Sequence, residues 1–353
     1  MNRIILNSLD KEELARFFEN LGQKPFRARQ IWSWVYGKGI HDFEAMTNMS
    51  AALRLQLSRI ARFSRLGLAG DMLSASGTRK FVWALEDGLF IESVYIPDGK
   101  RHTVCVSSQV GCRLGCAFCA TARMGFKRDL MPHEIVDQVQ SMQALTGVKP
   151  TNLVVMGMGE PFLNYHSVIK ALNIINDREG IAIGHRKITI STAGIIPRIR
   201  QFADEKHPYL LAVSLNASTD ALRQRLMPVA RRYPLKDLLD TARYYTAKMR
   251  KRMTFEYVML RGINDRMEDA RRLKDLLKNI PCKVNLIAYN PTPGAFHRPS
   301  EEHIIAFAEA LRPLSAPVTL RLSRGDDIQG ACGQLAAGTR GHGSSFKTEK
   351  DRS

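Results

Sequence analysis

Cys112, Cys116 and Cys119 place three thiols on one short stretch, Cys112-Arg-Leu-Gly-Cys116-Ala-Phe-Cys119. Cysteine thiolates hold iron–sulfur clusters, and three of them on one loop leave one iron of a [4Fe–4S] cluster without a protein ligand. Such an iron can chelate the amino and carboxylate groups of S-adenosylmethionine (SAM). An electron from the cluster then splits the sulfonium and releases a 5′-deoxyadenosyl radical. The competing chemistry is structural zinc, which takes four ligands, often as two close pairs. No second pair occurs in the chain, and His102 and His133 flank the loop without entering it. The spacing therefore points to the cluster. The other cysteines are Cys105, Cys282 and Cys332. In a reducing compartment none is expected in a structural disulfide.

The elements that would carry these residues follow from pattern. Residues 1–62 read as a small helical accessory domain. Asp10 and Glu13 have capping-box spacing, Leu14, Phe17, Phe18 and Leu21 follow at helical period, and Gly22 ends the run. A second helix runs through Ile31, Trp32, Val35 and Tyr36, and a third through Leu53, Leu57 and Ile60. Residues 63–102 are expected as a linking β-meander, with strands from about residue 77 and turns at Asp87-Gly88 and Asp98-Gly99. If Asp98 and Gly99 are the central residues of a two-residue turn, Glu92 pairs opposite Cys105.

Residues 103–335 alternate strand and helix. Strands are expected at Thr103–Ser108, Leu153–Met156, Lys187–Thr192, Leu210–Leu215, Thr254–Met259, Val284–Tyr289 and Val318–Leu322. Apolar runs such as Leu153-Val-Val-Met156 suit strands buried on both faces. Repeated β-then-α units mean an α/β fold with a parallel sheet or barrel, whose chemistry gathers at the C-terminal strand ends. Residues 336–353 read as a disordered tail.

Lys and Arg number 52 against 34 Asp and Glu, a formal charge of +18, which favours a polyanionic partner without naming it. Neither a membrane-spanning apolar run nor a signal-peptide pattern occurs, so a cytoplasmic location is expected.

Four stretches together carry a family resemblance. They are Cys105-Val-Ser-Ser-Gln-Val-Gly-Cys112, the cysteine loop, Gly157-Met-Gly-Glu-Pro161, and Gly325-Asp-Asp-Ile-Gln-Gly-Ala-Cys332-Gly-Gln-Leu335. In combination they resemble the RlmN/Cfr family of radical SAM enzymes that methylate an adenine in RNA. The resemblance runs from the helical domain to about Leu335. It implies a partial (βα)6 barrel with an N-terminal accessory domain. One branch of the family methylates adenine C2 in large-subunit rRNA and, in some tRNAs, the adenine 3′ of the anticodon. The other branch methylates C8. Cys119-Ala-Thr-Ala-Arg-Met-Gly-Phe126 and the Gly325 stretch look more like the C2 branch.

Adenine C2 lies between two ring nitrogens and is electron-poor. It cannot attack an electrophilic methyl, so a radical route makes chemical sense. The resemblance implies that one SAM methylates Cys332 and a second provides the radical that takes a hydrogen from that methyl. The methylene radical adds to C2, Glu92 accepts the C2 proton, and Cys105 attacks the Cys332 sulfur to release the product and leave a disulfide. Thiolate attack on sulfur is ordinary exchange chemistry. Gly159, Glu160, Ser191, Ser214, Leu215, Asn216 and Asn290 match SAM-contacting positions, with Asn216 standing where a histidine is expected. Cys282 matches no motif and is read as structural. Arg231, Arg232, Lys248 and Arg250-Lys-Arg252 are candidate RNA contacts. The chemistry needs an electron donor such as flavodoxin or ferredoxin, and a monomer suffices. A non-catalytic zinc RNA-binding module is the alternative from another class, and C8 methylation the alternative within the family.

Overall fold

The computed structural model describes residues 3–292, 294–312, 316–321 and 324–336. The tail reading therefore lies outside the described residues apart from Ala336, as does Leu322 of the last expected strand.

The capping box at Asp10 forms as its spacing requires. The Asp10 carboxylate accepts from the Glu13 N–H at 2.9 Å, and the Glu13 carboxylate accepts from the Asp10 N–H at 2.9 Å. It opens helix Lys11–Asn20, followed by Phe26–Trp32, a π-turn at Ser33–Gly37, and Ala51–Ile60. Leu14, Phe18, Ile31, Trp32, Val35, Leu53 and Leu57 are buried together. Each such side chain contributes about 1.5–3 kcal/mol relative to exposure. The unit docks on the core through polar contacts. Trp32 Nε1 donates to Asp177 at 3.2 Å, Lys11 pairs with Asp177 at 2.7 Å, and Gln140 donates to the Val35 carbonyl at 2.7 Å.

The core is one ten-stranded sheet. Strands Arg101–Cys105, Asn152–Val155, Ile188–Thr192, Leu210–Ser214, Met253–Met259, Cys282–Ala288 and Val318–Arg321 lie parallel in that order. Helices Pro132–Thr146, Tyr165–Asn176, Ile196–Asp204, Leu235–Met249, Met267–Leu277 and Glu301–Leu311 fill the six crossovers. These are six βα units ended by a seventh strand. The sheet does not close among the described residues. Arg101–Cys105 continues into an antiparallel meander of Phe90–Asp98, Arg79–Ala84 and Gly67–Leu73. The result is the parallel α/β sheet that the strand–helix alternation implies, in the partial-barrel form that the family resemblance implies.

Two local expectations need correction, and one element had no counterpart among them. Asp98 pairs with Arg101, so the two turn residues are Gly99 and Lys100, with Gly99 at φ 55°. A glycine at the first central position suits a type II′ turn. Every pairing therefore shifts by two, and Cys105 lies opposite Val94 rather than Glu92. A shift of two preserves the face of each side chain, so Glu92 stays on the Cys105 face. The meander also begins earlier, at Gly67. That edge strand is largely exposed and shows no alternation for a sequence reading to find. Finally, a two-stranded ribbon, Gln109–Gly111 with Phe126–Asp129, brackets the cysteine loop. Gly111 closes it with φ 73°, and any Cβ there would overlap the Gly125 carbonyl oxygen.

Candidate active site

Alternation along the parallel strands decides what faces the barrel interior. Thr103 and Cys105, Ser191, Ser214, Glu256, Asn285 and Ile287 all point inward and line two clefts that meet inside the sheet. Closed βα barrels fill this space with branched apolar side chains. Here hydroxyls, an amide and a carboxylate occupy much of it, which marks a ligand site.

The first cleft, a cavity of about 150 Å³, lies at the C-terminal strand ends. Cys112, Cys116 and Cys119 line it as free thiols, beside Gly159, Glu160, Ser191, Ser214 and Asn216. The cysteine loop is fixed on several sides. The Cys112 N–H donates to the Gly125 carbonyl at 3.1 Å, Ala117 N–H to the Leu226 carbonyl at 2.9 Å, and Ala120 N–H to the Gly333 carbonyl at 2.8 Å. Burial pushes the Cys112 thiol up to about 12 and raises Cys116 further. Buried thiols of this kind ionise when a metal replaces the proton. Among the described residues, no three such side chains are gathered tightly enough for a single metal ion. Four-coordinate zinc with sulfurs at about 2.3 Å needs them nearly in contact. In a [4Fe–4S] cluster each thiolate ligates a different iron, so the three need not converge on one ion.

The Gly157-Met-Gly-Glu-Pro161 motif has a steric reason. A Cβ on Gly157 would meet Ser107 at 2.7 Å, and one on Gly159, at φ 102°, would meet Gln109 at 2.6 Å. This close approach delivers Glu160 to the cleft floor. Its carboxylate accepts from the Ala193 N–H at 2.7 Å and the Phe162 N–H at 3.0 Å. It has no cationic partner among the described residues, and burial raises its pKa despite those bonds. A buried carboxylate in this state favours a bound ammonium, such as the amino group of SAM. Gly159→Ala is expected to lose about 2–4 kcal/mol through overpacking and backbone strain. Gly184→Ala, whose Cβ meets nothing within 4 Å, should be nearly neutral. Urea denaturation of the two variants checks this.

The other matched positions divide. Ser191 donates to Glu256 at 2.7 Å, so its hydroxyl is oriented by a carboxylate that borders both clefts. Asn216 adopts φ 56°, a conformation asparagine tolerates well, and its Oδ1 accepts from the Val258 N–H at 2.8 Å. Leu215 does not line the cleft; its side chain is fully buried and its N–H donates to the Glu256 carbonyl. Asn290 lies behind the wall and donates to the Cys332 carbonyl at 3.0 Å, while its buried Oδ1 has no partner.

Several contributors had no motif to flag them. Glu256 sits mid-strand and reads as a gap in an apolar run. Arg223 is fully buried, donates to the carbonyls of Ala193 at 2.7 Å, Leu215 at 3.2 Å and Tyr233 at 3.3 Å, and so ties two strand ends together. Its only sequence trace is a charge on the apolar side of a short helix.

The second cleft, a cavity of about 650 Å³, runs from the same wall toward the strand starts. Cys105 lines this cleft and not the first, whereas Cys332 lines both. Burial pushes Cys105 up to about 12 and Cys332 up to about 11. The segment carrying Cys332 is pinned from several elements. Gln334 donates to the Pro291 carbonyl at 2.9 Å, Thr121 to the Leu335 carbonyl at 2.7 Å, and Asp327 accepts from Ser74 at 2.7 Å. Arg324 pairs with Asp98 at 2.8 Å across the gap in the sheet. Gly325, at φ 77°, rests on Thr78, which gives the Gly325-Asp-Asp-Ile motif its docking role.

Glu92 lines neither cleft. Its carboxylate accepts from the Ala336 N–H at 3.0 Å and lies 3.4 Å from Lys80 Nζ, directly beneath the Cys332 segment. Burial raises its pKa, with Lys80 opposing. Cys282 is buried in the core away from both clefts. No helix among the described residues is long and apolar enough to cross a membrane.

Comparison with known proteins agrees with this geometry. Residues 4–63 match the family model "Ribosomal RNA large subunit methyltransferase N-terminal domain", and residues 106–273 match "Radical SAM superfamily". The chain is 47% identical over 341 residues to a dual-specificity RNA methyltransferase RlmN of Anaeromyxobacter dehalogenans, covering 94% of this chain and 91% of the relative. It is 44% identical over 340 residues to the Syntrophobacter fumaroxidans protein of the same name, covering 96% and 99%. A crystal structure of a radical SAM methyltransferase from Sphaerobacter thermophilus superposes with TM-score 0.90 at 42% identity, covering 94% of this chain and 99% of that one. The three-cysteine cleft therefore belongs to an iron–sulfur, SAM-dependent enzyme, and the chain is a member of the RlmN family of radical SAM methyltransferases.

Proposed function

We propose that this enzyme methylates C2 of an adenine in large-subunit rRNA and of the adenine 3′ of the anticodon in some tRNAs. The observation that carries the reading is the position of Cys332 as the shared wall of two clefts, with Cys112, Cys116, Cys119 and Glu160 on one side and Cys105 on the other. When bound, SAM would supply a methyl group by two-electron transfer to sulfur, and the cluster with a second SAM would supply a carbon-centred radical by one-electron cleavage. Cys112, Cys116 and Cys119 would hold the cluster. Gly159, Glu160, Ser191, Ser214 and Asn216 would hold SAM, with Asn290 acting through the Cys332 carbonyl.

Cys332 then serves as methyl carrier, reachable from the SAM side for loading and from the other for delivery. Cys105 resolves the covalent adduct by attacking the Cys332 sulfur. Glu92 takes the C2 proton. Its carboxylate is now covered by Ala336, so the carrier segment must shift for the base to reach substrate. A low-potential donor such as flavodoxin or ferredoxin supplies electrons, and the enzyme works as a cytoplasmic monomer.

Mass spectrometry of nucleosides from RNA treated with the reduced enzyme tests the regiochemistry. The expected product co-migrates with 2-methyladenosine. A product matching 8-methyladenosine would overturn the C2 assignment.

A further inference from the structure

The cleft on the Cys105 side carries a charge pattern that the SAM site does not explain. Arg101 and Lys283 stand at the starts of their strands, and Arg321 ends the last strand. All three border the cleft, and none has an ion-pair partner among the described residues. The acids beside them are engaged. Asp98 is paired with Arg324, and Glu256 accepts from Ser191. Period-two alternation puts Lys283 and Asn285 on the inward face of one strand and Thr319 and Arg321 on that of its neighbour. The interior is therefore polar and cationic toward the strand starts, and narrows to Cys105 and Cys332 at its deep end. Its volume, about 650 Å³, lies within the roughly 300–1,000 Å³ range of ligand pockets and has room for a flipped base with its sugar, the flanking phosphates staying at the rim.

We propose that the target nucleotide enters through this second cleft, from the strand-start side, and not through the SAM cleft. The base passes between Cys105 and Cys332, and the phosphates beside it are held at the mouth by Arg101 and Lys283, with Arg321 deeper, level with Ile287. The route rests on the RNA methylation proposed above. It follows from the partition at Cys332. SAM fills one side of the carrier sulfur, so the acceptor must reach it from the other, where the resolving thiol waits. A base that enters this way must be unstacked, and phosphate contacts at the rim hold it in register.

Lys283→Glu and Arg101→Glu, made singly, test the route against Arg271→Glu/Lys278→Glu on the outer surface. KM for RNA should rise about tenfold for each cleft variant, and the slope of log affinity against log salt should fall by about one charge. Methylation of Cys332 by SAM without RNA, read by peptide mass spectrometry, should stay at the wild-type level. The outer pair should change KM by less than about twofold. An unchanged KM in both cleft variants, or an effect confined to the outer pair, would overturn the route. Parallel loss of Cys332 methylation would do the same, by assigning these cations to the SAM side or to folding. A wild-type enzyme that loads Cys332 but methylates no RNA would sink the RNA reading itself, which separates the two failures.

Discussion

Cys332→Ala should retain its iron and sulfide, and should still cleave SAM when reduced, yet transfer methyl to RNA at less than about a thousandth of the wild-type rate. The expectation follows from removing the only covalent carrier while leaving the radical site intact. Cys332 borders the first cleft, but its sulfur belongs to a separate segment, pinned by Asn290, Gln334 and Thr121. Those bonds use the backbone or Gln334, so truncation to alanine leaves them in place. Loss of the visible absorption of the cluster together with activity would mean that Cys332 supports the cysteine loop structurally. Turnover near wild type would mean that the methyl reaches RNA without this sulfur.

Cys105→Ala should fail later in the cycle, with a covalent RNA–protein adduct that accumulates to near the enzyme concentration. Its small side chain and depth in the cleft predict little change in fold. In the wild-type enzyme, resolution of the adduct requires the thiolate, and burial pushes this thiol up to about 12. The thiol form therefore dominates near neutrality. The reactive fraction grows about tenfold for each unit of pH until the pKa is reached. Rapid-quench gels should show adduct decay accelerating by about that factor between neighbouring pH values above neutrality. A decay rate independent of pH would show that Cys105 is activated otherwise or is not the resolving group. Absence of any adduct in the alanine variant would remove Cys105 from the pathway.

Legibility of this fold in sequence varied with the physics of each part. The helical unit was readable because its signals are local: the Asp10–Glu13 box and the Leu14, Phe18 period both formed as spaced. The seven parallel strands were readable because burial on both faces leaves continuous apolar runs. What those runs hid was the interior. Thr189, Ser191, Glu256 and Lys283 look like interruptions of apolar stretches, and only the sheet reveals that they share one face. The hairpin register erred because Asp98-Gly99 was placed at both central turn positions, whereas the glycine takes the first and Lys100 the second. The cluster cysteines were visible from spacing alone. Cys105 and Cys332 were not, because 227 residues separate them and only the resemblance joined them. The structure places both on the second cleft. It also shows what motif matching could not, that Leu215 is turned into the core and that Asn290 bonds the carrier segment.

In the proposed cycle the methyl travels on Cys332 and loses a hydrogen there before it reaches adenine. Turnover with SAM carrying a trideuterated methyl tests it most directly, with the methylated adenosine and the released 5′-deoxyadenosine both analysed by mass spectrometry. The expected product methyl retains two of its three deuteriums, and the 5′-deoxyadenosine gains one. A product methyl that keeps all three, with no deuterium in the 5′-deoxyadenosine, would contradict it.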